Sequence, residues 1–204
     1  HHEIHFPNRI DFTLTAESDS PITSVTFYYR FANQHVSIYG YPRFESESDI
    51  TTHFSIENGL RTGVDIEYYY VIQNLAGERL KSNTYSLIYL DSAFEWQRLT
   101  LGGMEIFWHD QPNLRIRTLA EQVNRRLTEV RRVLGLKSAT TVRAVILNNH
   151  IEAFHSFPSI SSTATDSHLY SGFAFGEFDL FLLVGARFDG MVHEMVHLLL
   201  DQAI

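Results

Sequence analysis

From residue 10 to residue 90 the chain keeps to a period of two. Ile10, Phe12, Leu14 and Ala16 alternate with polar neighbours, and Val25, Phe27, Tyr29 and Phe31 repeat the pattern. Aromatic and β-branched residues in strict alternation give strands buried on one face. The cluster Ser18-Asp19-Ser20-Pro21 separates the first two as a turn. Further strands are predicted over 50–56, 64–73 and 84–90, with connections at Asn58-Gly59 and Ala76-Gly77-Glu78. Six or seven short strands without any helical period predict an all-β sandwich over residues 1–92. Tyr28-Tyr29 and Tyr68-Tyr69-Tyr70 are read as giving one face to its core and one to the exposed sheet, in preference to a carbohydrate or peptide platform.

The pattern changes after Leu90, which marks a second domain over residues 93–204. Gly102-Gly103 lies between two apolar runs and predicts a hairpin. Ile116, Leu119, Ala120, Val123, Leu127, Val130 and Leu134 then fall on one stripe at the helical period, between Pro112 and Gly135. A short buried strand is predicted over 142–147, a polar loop over 159–167, and a hairpin from Gly172-Phe173-Ala174-Phe175-Gly176 into an apolar strand over 180–184.

The chemistry-bearing stretch is Val192-His193-Glu194-Met195-Val196-His197-Leu198. Residues four apart share a helix face, so His193 and His197 can present imidazole nitrogens to one Zn²⁺ ion. Glu194 stands where a carboxylate takes a proton from metal-bound water, the chemistry of a zinc metallopeptidase. The apolar neighbours Met191, Val192, Leu198, Leu199 and Leu200 predict a helix buried in a cleft. The competing reading is a buried helix whose two histidines are hydrogen-bonded core residues. Asp201 lies eight residues beyond His193, about 12 Å along a helix, too far to complete the same ligand set. Its spacing of four from His197 suits a hydrogen bond to that histidine instead. A catalytic zinc takes three protein ligands and a water, so the third ligand is expected in sequence beyond Ile204, and the chain is read as a fragment expected to be inactive by itself.

Other features narrow the choice of partner. A net charge of −8 argues against nucleic acid, which attracts basic patches. No stretch approaches the roughly twenty apolar residues of a membrane span, so no integral membrane segment is expected here. The chain has no cysteine, which excludes thiolate zinc ligands and disulfides. His109, His150, His155 and His168 are read as turn or surface histidines, with His168 and Tyr170 as candidates to hold a transition-state oxyanion.

Two resemblances add to this reading. Leu60-x-x-Gly63, then Tyr68, Tyr70 and Ile72, then Asn74-x-x-Gly77 resemble the later strands of an immunoglobulin-like or fibronectin type III domain. Phe94-Glu95-Trp96, Phe107-Trp108, the long helix, the Val-x-Ala-Val-Ile-Leu-Asn strand, the Gly-x-Ala-Phe hairpin, the Leu-Leu-Val-Gly strand and H-E-x-x-H together look like the peptidase MA-like proteins. These are gluzincin-type metallopeptidases, often preceded by an immunoglobulin-like domain. The resemblance covers nearly the whole chain, and its specific part is 172–201. It implies a multidomain protein: a β-sandwich followed by an α+β zincin-like metallopeptidase N-terminal subdomain, truncated after the H-E-x-x-H helix. It makes His193 and His197 zinc ligands, Glu194 the general base or acid, and a Glu on a later helix the third ligand. It implies an edge strand binding an extended peptide or protein substrate, at Phe173, Ala174 and Phe175 or within 178–183. It also implies secretion or display at the cell surface. An inactive peptidase-like domain in a surface-displayed binding or adhesion module is the alternative, and a purely structural metal site is a third.

Overall fold

The computed structural model describes residues 1–31, 34–136, 141–157 and 171–202. They form two compact units. The first holds residues 1–60 and 64–92, and the second holds residues 61–63 and 93–204.

In the first unit, β1 (His2–His5), β2 (Arg9–Glu17) and β5 (Asp49–Ile56) make one antiparallel sheet in the order β1-β2-β5. The second sheet has the order β4-β3-β6-β7, from β3 (Ile22–Phe31), β4 (Ile38–Gly40), β6 (Asp65–Asn74) and β7 (Arg79–Lys81), and β8 (Tyr85–Ile88) also pairs with β6. The period of two decides which side chains go inside: Ile10 and Phe12 from β2, Val25 and Phe27 from β3, Ile66, Tyr68 and Tyr70 from β6. A register shift between Ile22 and Ser24 brings Ile22 to the same buried face as Val25, three residues away. The Phe12 ring centroid lies 4.8 Å from that of Phe27 and 4.7 Å from that of Tyr68, so the core is an aromatic cluster. On the outer face Tyr28 and Tyr69 stack at 4.9 Å with 9° between their planes, and the Lys81 ammonium covers Tyr69 at 4.0 Å. Both faces of the Tyr69 ring are thereby occupied.

In the second unit, β9 (Gln97–Leu101), β10 (Met104–Trp108), β11 (Val142–Leu147), β12 (Gly172–Phe175) and β13 (Leu180–Val184) form one mixed sheet in the order β12-β13-β11-β10-β9. The three middle strands are parallel and the two edges antiparallel. Positive φ at Gly102 (59°) and Gly103 (78°) lets two residues close the β9–β10 hairpin, a conformation that residues bearing a Cβ rarely adopt. Parallel strands need a crossover, and α1 (Asn113–Leu134) supplies it between β10 and β11. Met104, Ile106, Ala144, Ile146, Phe181 and Leu183 point to one face of the sheet. There they pack with Ile116, Ala120, Val123 and Leu127 of α1 and with Met191, Met195, Leu198 and Leu199 of α3 (Phe188–Asp201). The short α2 (His150–Ser156) lies between β11 and β12 in sequence.

Glu105 and Arg143 share the other face. Glu105 is buried, and its Oε2 accepts from Arg143 Nε at 2.7 Å while Oε1 meets Arg98. Arg143 Nη1 donates to the Gly63 carbonyl at 2.7 Å, and Thr62 Oγ1 donates to Ser156 O at 3.4 Å. These bonds tie residues 61–63 to the second unit although they interrupt the sequence of the first.

The expected fold class is corrected here. Strands hold 42% of the described residues and helices 25%, in three sheets with three α-helices, so the described protein is mostly β, and no α+β zincin-like domain is evident among the described residues. The physical reason is the density of apolar strand-forming runs. Residues 104–108, 142–147 and 180–184 all enter one sheet, and among the described residues only three segments form α-helices. Among the described residues no helix is long and apolar enough to cross a membrane.

The aromatic core carries a pH liability. The hydroxyls of Tyr70 and Tyr89 are buried with no hydrogen-bond partner among the described residues, and burial pushes the Tyr89 phenol up from 10 to about 12. The unfolded chain therefore ionises this tyrosine first, so its contribution is intact below pH 10 and lost as pH climbs toward 12. Urea midpoints should fall across that window. Tyr89→Phe should shrink the fall and leave neutral-pH stability unchanged or about 1 kcal/mol higher; a fall of undiminished size in the variant would contradict this.

Candidate metal-binding helix

Helix α3 starts after a turn at Gly185, whose N–H donates to the Leu147 carbonyl at 2.7 Å. Met191, Met195, Leu198 and Leu199 recur at steps of four, three and one, which puts all four on the face against the sheet. His193 and His197 fall on the opposite side and are exposed. This removes the reading of two core histidines, and it also differs from the expected burial in a cleft among the described residues. Apolar flanks mark a helix as packed without saying which of its sides stays open.

The two imidazoles meet at their Nε2 atoms, 3.2 Å apart, with the rings at 81°. Two nitrogens bound to one tetrahedral zinc at about 2.0–2.1 Å would stand about 3.3 Å apart. The pair thus has the spacing of a two-ligand chelate, and the alternative at this distance is a single N–H···N hydrogen bond between neutral tautomers. The donor set suits zinc, since imidazole nitrogen is one of its preferred ligands. No group of three His, Asp or Glu side chains converges to hold a metal among the described residues.

Glu194 sits on the flank of α3, half-buried. Burial holds its carboxyl above the ordinary range, partly opposed by the charges of His193 and His197. Its side chain lies against Gly172, the first residue of β12: a Cβ placed there would be 2.5 Å from Oε1. One helical turn pair further on, the Asp201 carboxylate lies in the same way against Gly176, in the 3₁₀ turn Gly176–Phe178 that follows β12. Asp201 is thus turned to that glycine, and no hydrogen bond joins it to His197 among the described residues.

Strand β12 is a sheet edge, paired with β13 alone among the described residues. Its three candidate substrate residues point two ways. Ala174 packs on the side of α3 and the core, whereas the rings of Phe173 and Phe175 lie 4.8 Å apart on the other side, with Phe157 6.4 Å from Phe173. Alternation in a strand requires this split. His168 and Tyr170 lie outside the described residues.

Sequence reasoning missed the most confined histidine. His109 was expected near the surface and is only 1% exposed. It lies flat on Phe94, 4.0 Å between centroids, and edge-on to Trp96 at 4.7 Å. Its Nδ1 faces Asp110 at 2.8 Å and its Nε2 faces Glu152 at 3.0 Å. Glu152 also accepts from the Asn148 N–H at 2.8 Å and from Asn149 Nδ2 at 2.7 Å, at the start of the helix that the Asn149 side chain caps. The available signal was Trp108-His109-Asp110 at the end of a strand that is apolar but for Glu105, which places an imidazole at the rim of a core.

Glu152→Ala leaves these donors without their acceptor. It should cost about 1–3 kcal/mol in urea unfolding, and a change below a few tenths would show that water replaces the carboxylate freely.

No protein-family model matches the chain, and no curated protein is similar to it in sequence.

Proposed function

We propose that α3 is the metal-binding helix of a zinc-dependent peptidase, with His193 and His197 as zinc ligands and Glu194 as the proton carrier. The observation that carries this reading is the 3.2 Å approach of the two Nε2 atoms on a helix that also turns Glu194 alongside them. When bound, zinc supplies a Lewis acid that polarises a peptide carbonyl and makes water a nucleophile near neutral pH. The protein's own part is then proton traffic and placement. The Glu194 carboxylate takes the proton of the attacking water and delivers it to the leaving amine. Its half-buried setting favours the protonated form that the second step needs. The edge strand β12, paired with β13 alone among the described residues, offers its outer backbone groups to a peptide or protein substrate held in extended form. Secretion or surface display belongs to the same reading, and nucleic acid is not the partner it favours.

Zinc titration with hydrolysis of fluorescein-labelled casein tests the proposal. The full-length protein should bind one zinc, lose it to a chelator, and lose turnover with it. His193→Ala should weaken zinc binding at least tenfold, and Glu194→Gln should keep zinc while lowering turnover at least a hundredfold. Hydrolysis that survives chelation, or zinc that survives His193→Ala/His197→Ala, would overturn the assignment. Tight zinc without hydrolysis would favour a metal site in a binding module.

A further inference from the structure

The edge strand presents small residues to α3 at every second position, Gly172, Ala174 and then Gly176 after the strand ends. Side chains at i and i+2 of a strand share a face, and residues 194, 198 and 201 share a flank of a helix. Gly172 meets Glu194 and Gly176 meets Asp201, so these two rows lie side by side in the same direction. Glu194 fills the place that a Cβ on Gly172 would take, and Asp201 fills the place of one on Gly176. Ala174, between them, packs on the cluster that includes Met195 and Leu198.

The contact at Gly172 is unusually complete. A Cβ built there would lie 2.5 Å from Glu194 Oε1, 2.8 Å from Cδ and 2.9 Å from Cγ. All three distances are below ordinary van der Waals contact, so a single methyl group excludes the carboxylate together with the carbon that precedes it. The glycine φ is not in the left-handed region, since Gly172 is absent from the residues of positive φ. An alanine therefore fits the backbone φ at this position, and the three closest approaches its Cβ would make are all to Glu194.

We infer that Gly172 is a positioning residue, which admits the Glu194 carboxylate to the flank of α3 beside His193 and His197 and sets its rotamer. The inference rests on the role proposed above for Glu194, and it adds a residue that touches neither metal nor proton. It makes the first residue of the edge strand and the proton carrier a matched pair, so the strand that offers its backbone to substrate also fixes the group that acts on it. With Ala at this position the side chain of Glu194 turns away, while the ligand pair, on the opposite side of α3 from the core, is left in place.

Crystal structures of the metal-free wild type and Gly172→Ala test this, with zinc titration and casein hydrolysis, in the full-length protein, of both and of the double variant Gly172→Ala/Glu194→Gln. In the alanine variant the carboxylate should leave its wild-type position, zinc affinity should stay within threefold, and turnover should drop at least tenfold. The double variant should be no slower than Glu194→Gln alone, because both changes remove one function. A carboxylate that keeps its wild-type place in Gly172→Ala overturns the inference, and so does full turnover. If the alanine variant does not fold, Gly172→Ala/Glu194→Ala replaces it. The inference then requires that the shorter side chain restore folding, and a double variant that also fails to fold overturns it. A wild type with no zinc-dependent hydrolysis sinks the catalytic reading, and the two crystal structures still decide whether Gly172 places Glu194.

Discussion

The second unit depends on how closely α3 can approach the edge of its sheet. Met191, Met195, Leu198 and Leu199 press the helix onto Phe181 and Leu183, and Gly172 and Ala174 let its flank come down beside β12. Burying each large apolar side chain stabilises the fold by about 1.5–3 kcal/mol. That burial fixes the rotation of the helix about its axis, because a turn of one residue would carry about 100° of apolar surface into water. With the rotation fixed, His193 and His197 must lie on the far side and Glu194 on the flank. The place of the candidate site on the helix thus follows from core packing.

Polar groups in this unit are held by the opposite means. Glu105 between Arg143 and Arg98, and His109 between Asp110 and Glu152, are buried with their partners attached. Such sets lose about 1–3 kcal/mol when one member is removed, because a buried polar partner is then left unsatisfied. They tie distant parts of the chain together: Arg143 reaches Gly63, and Glu152 joins the end of β10 to the start of α2.

Much of the local structure was legible in the sequence. The stripe from Ile116 to Leu134, bounded by Pro112 and Gly135, marked out α1, since a long amphipathic period leaves little freedom. The alternating runs gave β2, β3, β5 and β6 for the same reason. Strands β4 and β7 were not seen, because three residues are too few to show a period. The register shift that buries Ile22 was also hidden, as was the membership of residues 61–63 in the second unit. Both depend on partners far away in sequence. At the candidate site the i, i+4 pair could be read directly, but its exposure could not. Which side of α3 faces out is decided by the sheet beneath it. The expected α+β zincin-like class failed for a related reason: a motif on one helix says little about how many strands the remaining chain forms.

The account stands or falls on whether His193 and His197 close on one metal. X-ray absorption at the zinc edge, on protein loaded with one equivalent, measures this directly. Two imidazole shells at about 2.0–2.1 Å, reduced to one in His193→Ala, is the result the geometry requires. A zinc surrounded by oxygen alone, or an unchanged spectrum in the variant, would contradict it.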